Sequence, residues 1–147
     1  MLKDKGNAAY KASDVHAAAN AYLEALDLMR FVFPEDEKDQ AQINSIRLVC
    51  YLNRAACQIR LQDFVGTKKS CSDALYLDPS NVKALYRRAQ ASAATFDFDR
   101  AKRDILAAIK LAPSDPALRL EFTNIKTSEQ EYEKRAKEAL SKMFPSS

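Results

Sequence analysis

The sequence predicts an all-α protein made of consecutive antiparallel helix pairs. Segments 63–79 and 97–113 align without a gap at an offset of 34 residues (97 − 63), and Asp63, Phe64 and Pro79 meet identical residue types. Alanine is abundant, whereas the chain has only 2 glycines and 5 prolines, which favours helices over hairpins. The 147 residues, 47% hydrophobic and 29% charged, indicate one globular domain. Repeats of this length stack helix pairs around a shared core.

An earlier copy of the repeat begins at Asp14, 49 residues before Asp63 and therefore 15 residues further away than the period requires (49 − 34). Residues 17–33 have the spacing of a continuous helix that ends before Pro34. Residues 36–39 are predicted to be a charged loop, and helical spacing returns from about residue 40. The extra residues therefore predict a lengthened second helix and a lengthened third helix, joined by a short acidic turn.

Helix-capping residues set the remaining helix boundaries. Asp14, Asp63 and Asp97 each precede a helix, where a carboxylate can cap free N–H groups. After residue 113, Ser114 or Asp115 is the expected N-cap of a final helix. We predict one domain with units at about 1–38, 39–80 and 81–114, followed by a capping helix at about 115–144 that covers the last unit.

Five polar residues are the candidate site: Lys3, Asn7, Asn53, Lys83 and Arg87. The first two and the last two are spaced i, i+4, so each pair shares a helix face. Three cations and two amides that meet in one place would form a socket for carboxylates. The alternative is that all five are solvated surface groups.

The repeat resembles the tetratricopeptide repeat, and the stretches L-K-D-K-G-N, Y-L-N-R-A-A-C and N-V-K-A-L-Y-R-R resemble the carboxylate-clamp class of tetratricopeptide co-chaperones. The resemblance implies three repeats in a right-handed superhelix whose first helices line a concave groove. It also implies binding of the C-terminal Glu-Glu-Val-Asp of heat-shock protein 90, with heat-shock protein 70 as a second partner. Lys3, Asn7 and Asn53 would take the terminal carboxylate, and Lys83 and Arg87 the carboxylate beside it. Secondary contacts to the peptide are expected from Tyr10, Ile59 and Gln90.

The long first unit, the phrase K-A-L-Y-R-R and the ending E-Y-E-K-R-A-K-E-A-L-S-K-M-F are similar to the C-terminal domain of large immunophilins, of the FK-binding (FKBP) and cyclophilin types, and of aryl-hydrocarbon-receptor-interacting proteins. In that family a peptidyl-prolyl isomerase domain precedes the repeats. We expect this chain to be a non-catalytic fragment of a longer protein. The alternative function is a structural scaffold that binds a folded partner, or an upstream isomerase domain, through the convex face.

Other chemistries have little support in the sequence. His16 has no catalytic residues patterned around it, no phosphate-binding loop is present, and the three cysteines are better explained as small core residues, so we expect no catalytic residue, metal or cofactor. The net charge of +3 is too small to predict nucleic-acid binding. No apolar run reaches the roughly 18–20 residues of a membrane span, and a cytoplasmic location is expected. The basic-amphipathic last helix raises calmodulin as a further candidate partner.

Overall fold

The computed structural model describes residues 2–11 and 14–144, without the side chains of residues 8–11. In this part of the chain the regular secondary structure is all helix, joined by short links, and there is no strand. In order, the helices are α1 (Leu2–Lys11), α2 (Val15–Met29), α3 (Glu37–Arg60), α4 (Phe64–Leu77), α5 (Val82–Ala94), α6 (Phe98–Leu111) and α7 (Pro116–Met143). None of these helices is both long enough and apolar enough to span a membrane.

The predicted aspartate caps are confirmed. Asp14 Oδ1 accepts from Ala17 N at 3.1 Å, and Asp63 and Asp97 make the same bond to the third residue after them, at 3.0 and 3.3 Å. Asp115 caps α7 through the N–H of Ala117 at 3.0 Å, which decides between the two predicted caps of that helix. Each cap satisfies one of the N–H groups that a helix start leaves without a partner.

The predicted boundaries of the first unit are wrong in two respects. Helix α2 ends at Met29, not at residue 33, because the backbone tightens there: the N–H groups of Arg30, Phe31 and Val32 each donate to the carbonyl three residues earlier. Helix α3 begins at Glu37, inside the predicted acidic loop. The Asp36 carboxylate accepts from Asp39 N at 2.8 Å, and acidic side chains in the first turn suit the positive end of a helix dipole. The extra residues therefore lengthen α3 and the link before it, while α2 keeps an ordinary length.

Small residues let the helices approach closely. Ala18, Ala55, Ala74, Ala89 and Ala108 are fully buried. At Gly6 an added Cβ would lie 2.8 Å from Cε1 of Tyr22, whose ring is itself buried in the core cluster of the first unit. An alanine at this position would force the closely packed ring to shift, so the contact favours glycine.

The three cysteines are free and buried, which confirms their predicted role as small core residues. Burial raises the pKa of Cys50 and Cys57, and it raises the pKa of Cys71 to about 12 although the positive charges of Arg87 and Arg88 act against the shift. Thiols in this state stay protonated and unreactive at neutral pH.

The helices form two layers, and the helices of one layer lie closer together than those of the other. Odd-numbered helices contact one another, α1 with α3, α3 with α5 and α5 with α7, whereas in the described residues no contact joins α2 to α4 or α4 to α6. A two-layer stack whose one layer is closer-packed curves toward that layer. The odd-numbered helices therefore lie on the concave side.

Candidate functional site

The candidate site lies where the odd-numbered helices meet. We call the surface that carries Asn7 of α1, Asn53 of α3 and Arg87 of α5 the inner face. Asn53 and Arg87 are one repeat period apart (87 − 53 = 34), so they hold the same position in successive units. The sequence therefore places Asn53 and Arg87 in one row, and Asn7 joins them through its contact with Asn53.

The two asparagines contact each other directly. Asn53 Nδ2 donates to Asn7 Oδ1 at 3.1 Å, and the hydroxyl of Tyr22 donates to the same oxygen through a short hydrogen bond. With its oxygen held by two donors, the Asn7 amide has a fixed orientation, and its own N–H groups remain available to an acceptor. An amide held in this way is a directional donor for a carboxylate. No sequence pattern marked Tyr22 as part of the site, so its hydrogen bond to Asn7 was missed.

Arg87 is anchored on the backbone of α3. Its Nη1 donates to the carbonyl oxygen of Leu52 at 2.8 Å, which places the guanidinium one residue from Asn53 along the chain. The guanidinium has five N–H groups, so this bond leaves donors free for a ligand. No local sequence pattern indicates the anchor, because it joins a side chain to a carbonyl 35 residues away.

Lys3 and Lys83 flank this group of residues on opposite sides. Lys3, one turn before Asn7, lines an apolar cavity of about 320 Å³ between α1, α2 and α3. Its positive charge also acts against the burial that raises the pKa of Cys50 in α3. Lys83 is exposed one turn before Arg87 and lines a smaller cavity, about 200 Å³, between α5 and α7. The cations thus lie to either side of the amide pair.

The predicted secondary contacts differ in position. Gln90 is half-buried one turn after Arg87, on the same stripe of α5. Ile59 lies six residues after Asn53, about 240° around the helix at roughly 100° per residue, and that spacing does not favour a place on the inner face. The side chain of Tyr10 lies outside the described residues. All three contacts stay predictions.

A second polar cluster holds α5 from the opposite side. Arg88 Nε and Nη2 donate to the two carboxylate oxygens of Asp104 in α6 at 2.7 and 2.8 Å, and Nη1 donates to Ser72 Oγ in α4 at 3.2 Å. Consecutive helix residues point about 100° apart. The two arginines of Y-R-R therefore face different neighbours, Arg87 the inner face and Arg88 the layer of even-numbered helices. The sequence alone did not separate their roles.

Known structures share this arrangement of helices. The C-terminal TPR-containing domain of a Plasmodium falciparum FK506-binding protein superposes with a TM-score of 0.84 at 27% identity, covering 90% of this chain and 89% of that one. The chain has the fold of a tetratricopeptide-repeat (TPR) domain. No protein-family model matches it.

Two further similarities are relevant to the TPR domain. Mouse peptidyl-prolyl cis-trans isomerase FKBP4 is 28% identical over 144 residues, 98% of this chain, and the chain spans 31% of that protein's length. The first TPR domain of Spaghetti (RPAP3), solved with the heat-shock protein 90 peptide SRMEEVD, has a TM-score of 0.71 at 26% identity, with 86% of this chain and 89% of that one covered. The chain is thus similar to TPR domains of FKBP-type immunophilins and of heat-shock protein 90 co-chaperones.

Proposed function

We propose that this TPR domain binds the acidic C-terminal tail of heat-shock protein 90 through a two-carboxylate clamp. The observation that carries the proposal is the fixed donor group on the inner face: Asn7 held by Tyr22 and Asn53, beside Arg87 anchored on α3. A peptide that ends in aspartate offers two carboxylates close together. The similarity to a TPR domain solved with SRMEEVD supports the same choice of ligand.

The two carboxylates of the terminal aspartate bind at opposite ends of the clamp. Lys3, Asn7 and Asn53 bind the main-chain carboxylate, where the amides set direction and the ammonium supplies charge. Lys83 and the free N–H groups of Arg87 bind the side-chain carboxylate. Each charge-assisted hydrogen bond contributes about 1.5–3 kcal/mol, and ordering a flexible tail opposes them, so a dissociation constant on the order of micromolar is expected.

Calorimetric titration with SRMEEVD tests the clamp. The free-acid peptide is expected to bind, and the peptide with an amidated C-terminus is not, because amidation removes the charge that Lys3 and the amides recognise. Lys83→Glu is expected to abolish binding while circular dichroism and melting temperature stay unchanged. Arg103→Glu, the same kind of charge reversal on an exposed residue of α6, is the matched control and should bind normally. Equal binding of the free-acid and amidated peptides would refute the clamp.

Heat-shock protein 70 tails share the Glu-Glu-Val-Asp terminus, so the clamp extends to them. Prolyl-isomerase turnover is expected to be absent from this chain, and an assay of the purified domain should read blank. The predicted binding of calmodulin to α7 has no further support and stays a prediction.

The convex-face scaffold is the second candidate function. Its motivation is the pair of exposed apolar residues on α4, Val65 and Tyr76, whose exposed fractions are 73% and 88%. Tyr76→Glu would weaken the binding of a folded partner at this surface, whereas Arg87→Ala would leave its affinity unchanged. The opposite pattern is expected for tail binding, so the two variants separate the two functions.

A further inference from the structure

The inner face continues onto α7 with a change of charge. Glu121 lies one period after Arg87 and two periods after Asn53 (121 − 87 = 34, 87 − 53 = 34), and α7 contacts α5 as α5 contacts α3. Successive helices therefore present an amide, a guanidinium and a carboxylate at one equivalent position. In the same way Asn124 follows Gln90 (124 − 90 = 34).

The Glu121 carboxylate is partly buried, and none of the ion pairs found in the described residues includes it. Burial raises its pKa, and a hydrogen bond with Asn124 acts against the shift. Burial also raises the pKa of Tyr86, a residue that shares the α5–α7 cavity with Lys83, and the negative charges of Glu121 and Asp115 raise it further. The end of the inner face beyond Lys83 is therefore anionic, and its carboxylate lacks the cation that would offset its desolvation.

The order of the clamp residues gives the direction of a bound tail. The terminal carboxylate lies at α1 and α3 and the next carboxylate at α5, so the residues before them continue toward α7. Neighbouring helix axes are about 8–10 Å apart and an extended chain advances about 3.3 Å per residue, so roughly three residues separate the part of the tail at α5 from the part at α7. The backbone at α7 is then about three positions before the terminus, and a long side chain such as that of arginine can reach Glu121 from one or two positions further upstream.

We propose that Glu121 selects tails that carry a cationic side chain a few residues before their acidic C-terminus. This inference rests on the proposed clamp. The inner face would then bind tails that are anionic at the C-terminus and cationic a few residues upstream. SRMEEVD has that pattern, because its arginine stands five residues before the terminal aspartate.

Two peptides that differ in one residue test the selection. SRMEEVD is expected to bind the wild-type domain about three- to tenfold more tightly than SAMEEVD, the ratio that one partly solvated ion pair provides. Glu121→Gln should weaken the binding of SRMEEVD alone, so that the two peptides bind with similar affinity. Glu121→Arg should favour a third peptide, SEMEEVD, over SRMEEVD. Glu138→Gln, on an exposed turn of the same helix, is the matched control and should keep the wild-type ratio.

The outcomes separate this inference from the clamp. If the peptides bind, depend on a free C-terminus and yet show the same ratio in wild type and Glu121→Gln, the clamp stands and the role of Glu121 is refuted. If no free-acid peptide binds the wild-type domain, the clamp itself is refuted and the selection fails with it.

Discussion

The most demanding stability prediction concerns the ion pair that ties α5 to α6. Asp104 is 5% exposed and Arg88 18% exposed at the side chain, and two hydrogen bonds of 2.7 and 2.8 Å join them. Those bonds are the main reason that the pKa of Arg88 lies above its ordinary value. Without Asp104 that cause of the shift is lost, yet Arg88 remains charged, because a guanidinium is not deprotonated in proteins. Asp104→Ala leaves that charge largely buried, with Ser72 as its remaining acceptor among the residues that the structure describes.

The expected cost follows from the burial of the charge that is left behind. Removing one partner of a buried pair typically costs about 3–5 kcal/mol. The remaining bond to Ser72 and the 18% exposure of Arg88 place this site at the lower end, so we expect Asp104→Ala to lower the free energy of unfolding by about 3 kcal/mol. That is a large fraction of the total for a domain of this size.

Urea unfolding followed by circular dichroism measures the loss. Asp99→Ala on the same helix, where the carboxylate is 90% exposed and 4.0 Å from Lys102, is the control and should cost about 0.5 kcal/mol or less. The double variant Arg88→Met/Asp104→Leu should recover most of the stability, because it removes both charges and fills the space. A cost below about 1 kcal/mol for Asp104→Ala, or a double variant no more stable than the single one, would refute the reasoning.

Three smaller predictions follow. Gly6→Ala should lower stability by about 1–2 kcal/mol despite the better helix propensity of alanine, and it should weaken tail binding, because the clash moves Tyr22, which orients Asn7; unchanged peptide affinity would contradict this. Gln62→Gly should raise the free energy of unfolding by about 0.5–1 kcal/mol, since Gln62 has a φ of 59°; a loss in urea unfolding would contradict it. Glu121→Gln should stabilise the domain at neutral pH. The folded pKa of Glu121 is raised, so its ionisation disfavours folding, and the gain in melting temperature should vanish as the pH falls below the ordinary value of 4.5.

The fold was predictable because its signals are local and repeated. Aspartate caps and helix-terminating prolines recur at the period of the repeat, and the alanines mark the faces that touch. The prediction failed in the insertion, where the period gave no guide. Aspartate is common both in loops and at helix N-caps, so the sequence does not assign Asp36 to either. Its hydrogen bond to Asp39 N shows that it is a helix cap.

The repeat positions of the candidate-site residues were predictable, but the hydrogen bonds that hold them were not. Repeat register places Asn53, Arg87 and Glu121 in one row without any coordinates. The hydrogen bonds of Tyr22 to Asn7 and of Arg87 to the Leu52 carbonyl were not predictable. They depend on the angle at which two helices cross, and that angle results from the packing of many side chains together.

These unpredicted contacts bear on how the domain binds. Helix α5 is held on one side by Arg87 on the α3 backbone and on the other by Arg88 on Asp104. The donors of the inner face are thus held in place without a ligand, and among the five residues of the proposed clamp Lys83 is the one whose side chain is exposed. A site fixed in this way loses little conformational entropy on binding, so the entropy cost falls on the tail. Stiffening the tail should therefore improve affinity more than any added contact at the domain's rim. Replacing the methionine of SRMEEVD, between the arginine and the two glutamates, with proline would show this in calorimetry as a less unfavourable binding entropy.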